Sequence, residues 1–246
     1  MKIIKLLTLV TLLISITSCS KEEVIPNNDS EEEIFDAGNF PMNLKEEGTL
    51  ITGEITNFRA TSLKRFVKFN FKTGELVREG DQWDIAMSIT AICVNGGEEV
   101  NDDLIEIVDI DNRPQPTRTG EGAIYCATIE GAEDIVDNGE VPEYILDEVT
   151  SVDVTKLKKD TEEGYGLPTG SGNGWYDYNI IGKPAHTVHP RPGTVLVIKT
   201  HDGHHYVKMQ ITSYYKDNKY PIKTDLTSGY YNFKYTYQKI EDKLEF

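Results

Sequence analysis

The segment TVLVIKTHDGHHYVKMQI, residues 194 to 211, leaves little freedom in what this chain can build. Two apolar runs rich in Val and Ile flank Asp202-Gly203, a pair that tolerates the positive φ angles of a tight turn. A two-residue loop at that point sets Ile198 opposite Val207, Leu196 opposite Met209, and His201 opposite His204. The apolar pairs then share one face, so turn chemistry and hydrophobic pattern agree on the register. The same alternation of apolar and polar residues runs through LITGEI (50–55) and RFVKFNF (65–71). That is the period-two signature of half-buried strands. KTGE (72–75) reads as a turn, WDIAM (83–87) as a further strand, and Val94-Asn95-Gly96-Gly97 as the close of the next.

No long stretch carries apolar residues at helical spacing, and aromatic residues are dominated by 13 Tyr against 8 Phe and 2 Trp. These features predict an all-β fold with few short helices, the candidates being Ala132–Asp137 and Val149–Lys159. A chain of 246 residues, 38% of them hydrophobic, suffices for one substantial domain. The formal net charge of −16 excludes nucleic acid as a partner, because phosphate neutralisation requires clustered Lys and Arg.

The N-terminus, MKIIKLLTLVTLLISITSC, combines two early lysines with an apolar run too short to span a bilayer comfortably. It reads as a signal peptide over residues 1–18. Its end, Ile16-Thr17-Ser18-Cys19, resembles the bacterial lipobox, in which the cysteine is diacylated and becomes the first residue of the mature chain. Ser20-Lys21-Glu22-Glu23 resembles the signal that sends Bacteroidetes lipoproteins to the outer face of the outer membrane. Residues 19–39 are acidic and polar, too poor in apolar surface to fold, and form a tether. The folded body is expected over residues 40–246. Of the remaining cysteines, Cys93 and Cys126 stay open between a disulfide, which export permits, and two thiols.

All five histidines fall within residues 186–205. His201, His204 and His205 flank the Asp202-Gly203 turn and read as solvated, a shared transition-metal site being the alternative. His186 and His189 sit in GKPAHTVHPRPG (182–193), where Pro184, Pro190 and Pro192 forbid helix and stiffen the backbone. Such a loop is a reasonable place to present a ligating side chain. Trp175, Tyr176 and Tyr178 precede it and offer either groove walls or, in the case of Trp175, a core plug. There is no Gly-rich phosphate loop, no nucleophile elbow, and no histidine outside this window to pair with a distant nucleophile, so an enzyme is not expected.

These elements together resemble the HmuY family of haem-binding lipoproteins. FVKFNFKTG (66–74) followed by WDIAM (83–87) is similar to its aromatic strand, TG turn and WDIAF signature. Trp175 to Tyr178, His186 to Pro190, VIKTHDG (197–203), Ser213-Tyr214-Tyr215 and GYYNFKY (229–235) follow in the family's order. The resemblance covers about residues 45 to 240. It implies an antiparallel β-sheet or sandwich, lipid-anchored at the outer membrane and exposed at the cell surface. The implied role is to capture haem and pass it to a TonB-dependent receptor.

Members hold the iron with two axial side chains, two His or two Met. His186 fits the later position, with His189 as the substitute. The earlier position falls between about Val154 and Glu163, where this chain has neither His nor Met. Lys156, Lys158 or Lys159 would have to lose a proton to ligate, whereas Tyr165 could serve ferric iron. Trp175, Tyr176, Tyr178 and Tyr165 are therefore the candidate pocket residues. Lys183, Arg191 and the Lys156–Lys159 group are the cations available to the haem propionates. The missing early ligand motivates an alternative: the same scaffold without haem ligation, serving as a surface module for a glycan or a receptor partner.

Overall fold

The computed structural model describes residues 42–62, 65–96, 118–128, 145–159, 174–178, 180, 183, 185–219 and 228–246, of which 126–128 and 158–159 are described by backbone alone. The signal peptide, the tether with Cys19, the candidate helix Ala132–Asp137 and Tyr165 lie outside these residues. Thirteen strands are present among the described residues. They are β1 (Met42–Glu47), β2 (Leu50–Arg59), β3 (Val67–Asn70), β4 (Glu75–Leu76), β5 (Ile85–Ser88), β6 (Ala91–Val94) and β7 (Ala123–Thr128). The rest are β8 (Lys158–Lys159), β9 (Tyr176–Tyr178), β10 (Val188–Pro190), β11 (Thr194–Lys199), β12 (Tyr206–Tyr215) and β13 (Ser228–Gln238).

A seven-stranded sheet has the order β1-β2-β13-β12-β11-β7-β8, a four-stranded sheet the order β4-β3-β5-β6, and β9 and β10 form a separate ribbon. Every strand pair is antiparallel. The only helical elements among the described residues are three-residue 3-10 turns. The helix expected over Val149–Lys159 is one such turn, Val154–Lys156, followed by β8. Thr150, Val152, Val154 and Thr155 leave this segment with too many β-branched residues to sustain a helix without packing support.

The two sheets meet face to face over an aromatic core. Alternate residues of β13, namely Tyr231, Phe233, Tyr235 and Tyr237, point into it and are at most 2% exposed. From the small sheet Phe69 stands edge-on to Phe58, Phe71 and Phe233, with ring centroids 5.4–5.9 Å apart. Edge-to-face pairs of this kind each add roughly 1 kcal/mol beyond the area they bury. A glycine in the middle of β2 would ordinarily weaken a strand. Gly53 is required because the Tyr235 ring lies over it: a Cβ there would sit 2.3 Å from a ring carbon. The Tyr235 hydroxyl continues across the core to donate to the Phe71 carbonyl, 3.0 Å away, joining the sheets.

The other face of the large sheet is covered by residues 145–152 and the C-terminus. Val195 packs with Ile145 and Leu146. Lys208, only 4% exposed, donates to the carbonyls of Leu146 and Val149 at 2.8 and 3.1 Å.

The β11–β12 register is the predicted one, with Leu196 opposite Met209 and Ile198 opposite Val207. The turn differs. Gly203 donates to the Thr200 carbonyl (3.0 Å) and Thr200 to the His205 carbonyl (2.9 Å), so residues 201–204 form a four-residue loop. His201 and His204 are therefore not a cross-strand pair. The cause is the Asp202 carboxylate, which draws in the Thr200 hydroxyl at 2.7 Å and the His204 N–H at 3.0 Å. These local bonds outcompete the tighter hairpin.

Candidate functional site at the β9–β10 ribbon

Trp175 roots the ribbon. It is 2% exposed and packs against Tyr176, Tyr214 and Tyr231 at ring-centroid distances of 4.6–5.7 Å. Its indole N–H points to the Thr90 carbonyl, 3.4 Å away, and its own carbonyl accepts from Arg191 at 2.8 Å. The returning strand is fastened at Val188, whose N–H donates to the Tyr215 hydroxyl at 2.7 Å. In the ribbon register Val188 faces Tyr178, His189 faces Asp177, and Pro190 faces Tyr176. Arg191 comes within 3.6 Å of the Asp177 carboxylate.

The two loop histidines have opposite surroundings. His189 is buried, and its Nε2 shares a 2.7 Å hydrogen bond with the buried Thr187 hydroxyl. Burial, followed by the charge of Lys183, lowers its pKa, so the neutral ring is favoured. His186 is exposed and has a φ of +62°. Its Nδ1 lies 2.9 Å from the hydroxyl of Tyr178, a residue that is itself 49% exposed. The two rings are tilted by 47° with centroids 6.1 Å apart, so they meet at their polar edges.

Of the residues singled out in the sequence, Trp175, Tyr176, Tyr178, His186 and His189 come together on this ribbon. They then divide: Trp175 belongs to the core, Tyr176 is half-buried against it, and His189 turns inward. Tyr178 and His186 alone form an exposed pair. The Tyr215 hydroxyl and the Thr90 carbonyl were missed by sequence reasoning, since each acts across a tertiary contact. The Thr187 hydroxyl, two residues from His189, is a local partner that burial of the ring makes decisive. Met87 and Met209 are fully buried core residues, and Met42 lies on the outer strand β1 with its sulfur beside Gly74.

The segment of the earlier ligand position leads into β8. Lys158 sits beside Cys126 and Thr194 beside Thr128. The chain ahead of Lys158 therefore lies at the end of the large sheet where β11 begins. The loop containing His186 feeds that same end. Lys156 is exposed there and forms an ion pair with Asp153 at 3.0 Å.

Around the second histidine cluster each imidazole has its own carboxylate. His201 Nδ1 lies 2.7 Å from Asp84, His205 Nδ1 lies 2.8 Å from Asp202, and His204 Nδ1 lies 4.0 Å from Asp242. Among the described residues no three His, Cys, Asp or Glu side chains converge as metal ligands. Cys93 carries a buried thiol on β6. Cys126 lies opposite Leu196 in the other sheet.

These features define a two-layer antiparallel β protein with an imidazole and a phenol presented on an appended ribbon. The model of the family described as HmuY protein matches residues 62–235, and the chain belongs to that family. Membership points to a role in haem uptake rather than to catalysis. Comparison with curated proteins returns no match.

Proposed function

We propose that this protein is a surface-exposed lipoprotein that captures haem at the β9–β10 ribbon and passes it to a TonB-dependent outer-membrane receptor. The observation that carries the reading is His186: it is the exposed histidine of the 182–193 loop, within the span that the family model matches. His189 is the weaker candidate, because its Nε2 is engaged by Thr187 inside the protein. The cargo would be held by one imidazole, by apolar contact with its large flat face, and by cations near its propionates. Lys183, exposed on the same loop, would supply the last of these, with Arg191 at the loop's end as a second cation once drawn from Asp177. Diacylation at Cys19 and the acidic tether would hold the domain off the membrane surface, within reach of a receptor.

A single axial bond suits a carrier. It stabilises the complex less than two would, so the cargo exchanges faster once a receptor offers a second ligand. Titration of the protein with haemin, followed by the Soret band, tests the reading. Wild type should show a saturable band whose position changes in His186→Ala. An identical band in both proteins would remove His186 from the site. No band in wild type would remove haem, and saturable binding of a glycan in its place would favour the ligand-binding scaffold without haem.

A further inference from the structure

We infer that Tyr178 is the positioning residue of His186, its phenol oxygen accepting the Nδ1 proton so that the ring offers Nε2 to ferric iron. This rests on the haem reading above. The two atoms are 2.9 Å apart, within hydrogen-bond range. A neutral imidazole has one protonated nitrogen, and a partner on one nitrogen decides which atom carries the lone pair. If the phenol donated to Nδ1, Nε2 would keep its proton and could not ligate. If Nδ1 donates to the phenol, Nε2 is the ligand atom.

The fold explains why a tyrosine supplies this contact. Tyr178 is the last residue of β9 and faces Val188, which is locked to Tyr215. Its backbone is therefore anchored to the core while its hydroxyl reaches the loop. His186 sits two residues before that lock with a positive φ, a conformation that L side chains rarely adopt. The tilt of 47° between the rings lets the phenol meet the imidazole edge without covering its face. An acceptor on the far nitrogen also makes an imidazole a stronger donor to metal, and losing such a partner typically weakens metal affinity about 10-fold or more.

The experiment compares wild type, Tyr178→Phe and His186→Ala in two measurements. In the haem-free protein, nitrogen NMR of His186 should show Nδ1 protonated in wild type. In Tyr178→Phe it should drift toward the Nε2-protonated form that free imidazole side chains prefer. With ferric haem, Tyr178→Phe should retain a His186-dependent Soret band. Its affinity should fall about 10-fold and its ferric–ferrous potential should move positive. A wild-type ring protonated on Nε2, or a Tyr178→Phe protein matching wild type in both affinity and potential, overturns the assignment. Complete loss of the band in a folded Tyr178→Phe protein also overturns it, by making the phenol itself the ligand. Absence of haem binding in wild type would end the haem reading, while the NMR result would still decide the tautomer independently.

Discussion

The loop at residues 200–205 and the loop at residues 185–189 both carry histidines, yet they use them in opposite ways. In the first, the rings of His201 and His205 are bonded to carboxylates, while His204 stays largely exposed. Asp84, 1% exposed, accepts from the His201 backbone N–H at 3.1 Å, from its ring at 2.7 Å, and from the Phe71 N–H at 2.8 Å. One carboxylate thereby bonds the turn of the large sheet to the small sheet. Burial alone would raise the Asp202 carboxyl, but the His204 N–H, the Thr200 hydroxyl and the His205 ring hold it well below the usual carboxylate range. In the second loop His189 is buried, whereas His186 stands exposed on a costly backbone conformation with a phenol at its edge. A histidine bonded to a buried carboxylate, as His201 is to Asp84, helps close the fold, whereas His186 is held at the surface on a strained backbone.

The largest test of this contrast is Asp84→Ala. It strands the Phe71 and His201 N–H groups and should cost about 3 kcal/mol of stability, read from the urea midpoint. His186→Ala in the same assay should stay within about 0.5 kcal/mol of wild type. Equal losses at the two sites would break the comparison.

A smaller effect is expected from His186→Gly. Removing Cβ relieves the positive φ, offset by the added freedom of the unfolded chain, for a net gain of about 0.5 kcal/mol. The same variant should lose the wild-type haem spectrum. A destabilised protein that keeps its spectrum would show that His186 is structural.

The smallest effect is one of slope with pH. The hydrogen bond to Asp84 raises the His201 pKa above its ordinary 6.5. The stability this contributes is fully present below the unfolded value and is lost as pH rises through the higher folded pKa. The pKa of His189 moves the other way, lowered by burial, so its neutral ring costs stability as pH falls below 6.5 toward the folded value. Urea midpoints across this range should therefore show His201→Gln flattening the fall on the alkaline side and His189→Gln flattening the fall on the acid side. Parallel curves for both variants would contradict the assigned surroundings.

Much of the fold was legible in the sequence because side-chain alternation reports a strand directly. Val195 to Ile198 and Tyr206 to Ile211 determined their own pairing, since a slip of one residue would exchange the two faces of the ribbon. WDIAM likewise announced a strand, but nothing in it revealed that Asp84 would be buried 117 positions from its histidine partner. The Asp-Gly turn was misread for a local reason: the short side chains of Thr200 and Asp202 offered the backbone bonds that a propensity rule does not weigh.

At the candidate site the sequence by itself determined that a stiff, proline-bounded loop carries His186 and His189, and that aromatic residues precede it. Alternation could not say which imidazole faces water. That was decided by Trp175 and Tyr215, which anchor the ribbon in a core assembled from β-strands far apart in the chain. Periodicity is a property of neighbours along the chain, whereas exposure depends on what the rest of the chain packs against. The pairing of Tyr178 with His186 belongs to the second kind, because it exists only once β9 and β10 have closed.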